Sequence, residues 1–180
     1  MRDRLLKAKQ MGSVVCLSRK EIDDGRELGE VVSVGSSWFL LRIIDDSIRY
    51  DGFGVMRIAD LSRLDLPHRF ADFVAQALQL RAATPPAPPL LDLETPEQLL
   101  ASACEAARLI SIHWEAVAPD ECSVGTLDSI DGPEFSFKEV SPAAKWLRDP
   151  AMHEFRHLTR VDLLRGYEEA LADVLFDSGT

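Results

Sequence analysis

Residues 29–45 read GEVVSVGSSWFLLRIID, and residues 125–141 read GTLDSIDGPEFSFKEVS. Laid on each other without gaps, Gly29 meets Gly125, Val31 meets Leu127, Ser33 meets Ser129 and Val34 meets Ile130. Phe39 then meets Phe135, Leu41 meets Phe137 and Arg42 meets Lys138, all at an offset of 96. A second block follows in the same order. DLSRLDLPHRFADFVAQAL (60–78) lies on HLTRVDLLRGYEEALADVL (157–175) at an offset of 97, with Leu61, Arg63, Asp65, Leu66, Ala75 and Leu78 recurring as Leu158, Arg160, Asp162, Leu163, Ala172 and Leu175. Two ungapped blocks, one residue out of phase, indicate an internal duplication.

Working outward, residues 2–10 read as a short helix, and 13–22 and 28–35 as strands joined at Asp24-Gly25. WFLLRII (38–44) is apolar nearly throughout, as in a strand buried on both faces. The turn Asp51-Gly52 leads into a fourth strand, 53–66, which Pro67 ends. An amphipathic helix over 68–80 places Phe70, Phe73, Val74, Ala77 and Leu78 on one face. In the second copy Thr95, Pro96 and Gln98 form a helix start running to about Arg108. Strands follow near 109–118, 122–130, 134–140 and 150–163, with Asp131-Gly132 as a hairpin turn and 167–176 as the closing helix. The fold class expected is α+β: two tandem repeats of helix, four-stranded antiparallel small barrel or curved sheet, and helix. The first repeat spans 1–80 and the second 96–180. Between them lies a linker, 81–95, rich in proline (Pro85, Pro86, Pro88, Pro89).

Composition narrows the function classes. Apolar residues make up 46% of the 180 and charged residues 28%, which is ordinary for a globular chain. No run reaches the roughly 18 apolar residues of a membrane span, and no apolar signal region follows Met1. Three cysteines, Cys16, Cys104 and Cys122, form no CxxC pair, so reduced thiols in a cytoplasm are expected. Charge is unevenly placed. Residues 1–90 hold 13 basic and 12 acidic side chains, and residues 91–180 hold 7 basic and 18 acidic, a net −11. Such a half repels phosphate backbones and favours a cationic partner.

The stretch DGFGVMRIADLSRLDLPHRFADFVAQAL (51–78) resembles a pattern in uncharacterised bacterial proteins: a Gly-rich turn, a strand ending in D-[IL]-[ST]-R-[LV], then a helix with an aromatic. That step is Asp60-Leu61-Ser62-Arg63-Leu64 here, and the second copy departs from it with His157 at the first position. The general shape also resembles tandem SH3-like or Sm-like small barrels. This resemblance implies an architecture. It carries over no catalytic residue and no cofactor.

One catalytic pattern occurs. Residues 153–157, His-Glu-Phe-Arg-His, match HExxH, in which His153 and His157 grip a zinc ion and Glu154 serves as base when the segment is helical. The repeat instead places 153–157 opposite Met56-Arg57-Ile58-Ala59-Asp60, which reads as strand. Residues four apart on a strand lie about 13 Å apart and cannot share one ion. Candidate recognition residues are the aromatics Trp38, Tyr50, Phe53, Trp114 and Trp146. Tyr50 and Trp146 are equivalent by repeat. The pair Arg63/Asp65 recurs as Arg160/Asp162, two apart and so on one face of a strand. The reading reached from sequence is a non-catalytic protein-interaction module, adaptor-like or immunity-like. It takes no metal or cofactor, and its partner is another protein with a basic surface. The alternatives are a zinc hydrolase on His153, Glu154 and His157, and an RNA-binding Sm-like protein.

Overall fold

The computed structural model describes residues 1–177, so the end of the expected second repeat, 178–180, lies outside the described residues. The chain forms two compact units, Met1–Pro88 and Pro89–Thr180. Residues 83–93, the proline-rich stretch, form no helix or strand.

Unit 1 contains α1 (Arg2–Met11), β1 (Val14–Arg19), β2 (Asp23–Val34), β3 (Trp38–Ile44), β4 (Tyr50–Arg57), β5 (Arg63–Asp65) and α2 (Ala71–Leu80). Its strands are antiparallel in the order β4-β3-β2-β1-β5. Every residue of β3 is buried except half-buried Arg42, whose guanidinium lies 2.5 Å from the Glu30 carboxylate. Such a strand must satisfy its one charge internally, and the cross-strand register does so by placing Arg42 opposite Glu30. Leu5 and Ala8 of α1 close one core over Val15, Leu17, Phe39, Leu41 and Met56.

Unit 2 contains α3 (Pro96–Ala106), β6 (Ile110–His113), β7 (Cys122–Asp131), β8 (Glu134–Ser141), β9 (Lys145–Trp146), β10 (Ala151–Glu154), β11 (Arg160–Leu163) and α4 (Gly166–Asp177). The Thr95 side chain accepts from the Gln98 N–H at 3.3 Å and starts α3 as the sequence indicates. The strand order is β10-β8-β7-β6-β11, and among the described strands β9 pairs with β8 off this path.

The expected fold class, α+β with two repeats of helix, four-stranded small barrel or curved sheet, and helix, is corrected: the described chain is mostly antiparallel β, with eleven strands and four helices. The sheets are open and antiparallel, with five strands in unit 1 and six in unit 2. The cause is local. Ile58–Asp60 is a 3₁₀ turn, held by an Arg57–Asp60 ion pair of 2.7 Å, and it breaks the run 53–66 in two. The freed end returns to β1 as β5, placing Arg63 opposite Ser18. Phe155–His157 makes the same break in 150–163, and β11 returns to β6. Two further expectations change. The turn between β1 and β2 falls at residues 20–22, not at Asp24-Gly25, because Arg19 and Asp23 pair across it at 3.2 Å. On α2 only Val74 and Leu78 are buried, while Phe70 and Phe73 are exposed.

Residue-level correspondence between the two hairpins is close. Gly29 pairs with Ile43 and Gly125 with Glu139, and both ladders shift register two residues later, after Val31 and Leu127. Both glycines are there for the same reason. A Cβ on Gly29 would lie 2.2 Å from the Arg42 carbonyl oxygen, and one on Gly125 would lie 2.0 Å from that of Lys138. No helix among the described residues is long and apolar enough to cross a membrane.

Candidate functional site

The register carries residue equivalence from one unit to the other. Val15 faces Gly29 and Ile110 faces Gly125, so Arg19 of unit 1 corresponds to Trp114 of unit 2. Phe39 corresponds to Phe135, and their cross-strand neighbours Met56 and His153 correspond to each other. In unit 1 this locus is closed: Phe39 and Met56 are wholly buried, and Arg19 is 1% exposed.

In unit 2 the same locus is open. A cleft of about 230 Å³ is lined by Trp114, Val117, Phe135, Met152, His153, Glu154, His157 and Leu158. Its floor is a run of stacked rings. His153 lies 4.6 Å from Trp114 at 28°, and 5.4 Å from Phe135 at 33°. Phe135 in turn packs 4.7 Å from Phe155. Val117 and Met152 stand at the mouth, 61% and 58% exposed. The connection between the first two strands differs in pairing more than in length. Between the equivalent ladder pairs Ser18–Arg26 and His113–Cys122 lie seven residues in unit 1 and eight in unit 2. Unit 1 continues its ladder with Arg19 opposite Asp23, whereas in unit 2 Trp114 lies beyond the end of β6 and stacks on His153 of β10.

The cleft's polar groups are few. The His153 Nε2 lies 3.5 Å from Glu139. Burial pushes the His153 pKa below its usual value, against the opposing pull of Glu139, so the ring in the floor is neutral at pH 7. Glu154 is held by Arg156 at 2.7 Å. The HExxH segment is therefore extended through Glu154 and then a single 3₁₀ turn. No group of three or more His, Cys, Asp or Glu side chains that could hold a metal occurs among the described residues.

Unit 2 also holds a buried polar network. Asp162 is 3% exposed and lies 2.7 Å from Arg160 Nε, 3.0 Å from Arg165 and 3.3 Å from His113 Nε2. Burial pushes its carboxyl pKa up, but Arg160, His113 and Arg165 outweigh that and hold it far below the ordinary carboxylate range. Ser111 donates to the buried Glu168 carboxylate, and Thr159 contacts Glu115. Cys122, opposite His113 in the ladder, has its thiol pKa raised by burial and by Asp162, the reverse of what a nucleophile needs.

The structure brings together Trp114, His153, Glu154 and His157 from the residues singled out in the sequence. The others lie elsewhere. Trp38 and Phe53 are buried, at 3% and 0% exposure. Tyr50 is half-buried and donates to Glu30 at 3.3 Å. Trp146 packs against Phe176, with the Lys138 ammonium 4.7 Å above its ring. Sequence reasoning missed Val117, Phe135, Met152 and Leu158. No local signal marks them: Phe135 aligns with the core residue Phe39, and the connection between the first two strands is only one residue longer in the second copy. Comparison with protein-family models, with curated proteins and with solved structures gives no match for this chain.

Proposed function

We propose that the chain is a non-catalytic protein-interaction module, and that the cleft of unit 2 receives a single apolar side chain of its partner. The size of the cleft carries this reading. At about 230 Å³ it falls short of the roughly 300–1,000 Å³ of small-molecule sites. It exceeds the roughly 150 Å³ that suffices for benzene. One aromatic or branched aliphatic side chain is the occupant that fits. Aromatic walls with a polar rim are the form that anchor pockets take at protein interfaces. The partner offers a basic surface, since the half of the chain from residue 91 carries net −11. A reducing, cytoplasmic setting fits the three cysteines, which are all free.

The test is a titration with N-acetylphenylalaninamide, a stand-in for one partner side chain. Saturable shifts of the Trp114 indole N–H are expected. Val117→Glu should abolish them at an unchanged melting temperature, because Val117 is exposed and places the new charge at the cleft mouth. An indole resonance indifferent to the titrant at all concentrations would remove the basis for an anchor pocket.

A further inference from the structure

We infer that the partner segment binds as an added β-strand along the outer edge of β10, with its anchor side chain in the cleft and basic residues beside it. This rests on the anchor-pocket reading and adds the partner's backbone conformation and charge. β10 stands at the end of the strand order and pairs with β8 alone among the described strands. Alternate residues of an antiparallel strand turn their N–H and C=O away from the existing neighbour, so a terminal strand offers a ready ladder. The cleft is built against that edge. Met152 and Glu154 point to one face of the strand and His153 to the other, yet all three line the cleft. A pocket lined by successive residues of one strand opens along the strand's edge and not over one face. An added strand would therefore run past the mouth and direct one side chain inward.

The charge of the surroundings selects the segment. Glu154 pairs across the ladder with Glu134, and Glu139 lies beside His153. Glu154 lies on the edge strand itself, beside Arg156, and the half of the chain from residue 91 carries net −11, so a docked segment with lysine or arginine near its apolar side chain is favoured. Pairing starts at Ala151, because Pro150 before it has no N–H to give. Main-chain bonds then supply affinity and the cleft supplies selectivity, the division of labour found where peptides add to sheet edges.

The test is selection from a displayed library of random short peptides on the full chain, followed by synthesis of the winner. We expect one large apolar residue with lysine or arginine near it, and binding that weakens as salt rises. N-methylation of alternate backbone amides on the ladder side should weaken binding about tenfold per pair of lost main-chain bonds. N-methylation on the other side should be tolerated. Peptides that need Val117 and Trp114 but tolerate N-methylation everywhere would overturn the strand and leave the anchor pocket standing. Winners indifferent to Val117→Glu, or no winners, would overturn both. If the purified chain self-associates and slowed amide exchange in the oligomer maps to β10, the edge belongs to a second copy, which also overturns the proposal.

Discussion

The same ladder positions hold a closed core in unit 1 and a cleft in unit 2. Phe39, Met56 and Arg19 fill one. Phe135, His153 and Trp114 leave the other open. The residue pairs keep the same register, Phe39 opposite Met56 and Phe135 opposite His153, but the strand that carries Met56 is continuous while its counterpart is split into β9 and β10. Side-chain identity and the end of the first strand decide which locus closes. Arg19 stays in the ladder opposite Asp23 and bonded to it, while Trp114 lies beyond the end of β6 and stacks on His153. The repeated Arg–Asp pair shows the same divergence. Arg63 and Asp65 meet at 2.7 Å with side chains 62% and 31% exposed, and Arg160 and Asp162 meet at the same distance at 7% and 5%. An identical pair is a solvated contact in one unit and the centre of a buried network in the other.

That contrast sets the largest expected effect. Asp162→Ala removes the buried carboxylate that Arg160, Arg165 and His113 share and should cost about 3–5 kcal/mol of unit 2 stability. Asp65→Ala should leave the denaturation curve unchanged, because water screens its partner. Equal losses in the two would show that burial does not separate the pairs.

Next in size is the exchange of equivalent floor residues. Met56→Ala empties a sealed core position and should cost about 2–5 kcal/mol. His153→Ala removes a side chain from the wall of an already open cleft and should cost clearly less in urea denaturation, while abolishing the response to N-acetylphenylalaninamide. A His153→Ala penalty as large as that of Met56→Ala would mean that the cleft is part of the load-carrying core.

The smallest effect is a pH dependence confined to unit 2. The folded pKa of His153 lies below its ordinary value of 6.5, so folding favours the neutral ring. Stability from this site is full above pH 6.5 and falls as pH drops through and below that value, because the unfolded chain then binds the proton more readily. Met56 gives unit 1 no such term. Amide exchange followed between neutral and mildly acidic pH should show faster opening around β10 and no matching change around β4. The opposite sign, with β10 protected as the pH falls, would mean that Glu139 and not burial governs the ring.

Much of this was legible in the chain. The buried run WFLLRII and the helix start at Thr95 state their roles locally, through apolarity and capping, while the glycines 29 and 125 showed only as recurring positions whose close approach to the next strand the structure supplies. The strand count was not legible, because a 3₁₀ turn of three residues leaves no mark in a run such as FGVMRIADLSRLDL that alternates imperfectly throughout. The exposure of Phe70 and Phe73 was hidden as well. Periodicity names a helix's apolar face, but only the packing decides how much of it is covered. For the cleft, the HEFRH segment drew the eye to the right residues for a reason that does not apply. His153 and His157 line the cleft from a strand and a 3₁₀ turn, not from one face of the helix that the HExxH pattern requires.

The central claim is that one locus, filled in unit 1, is an anchor pocket in unit 2. Anomalous diffraction from crystals soaked in 4-bromophenol tests it directly. We predict a bromine peak in unit 2, bounded by Trp114, Phe135, Met152 and His153, and none at Arg19, Phe39 and Met56 in unit 1. A peak at the unit 1 locus, or bromine bound elsewhere with the unit 2 cleft left empty, would contradict the account.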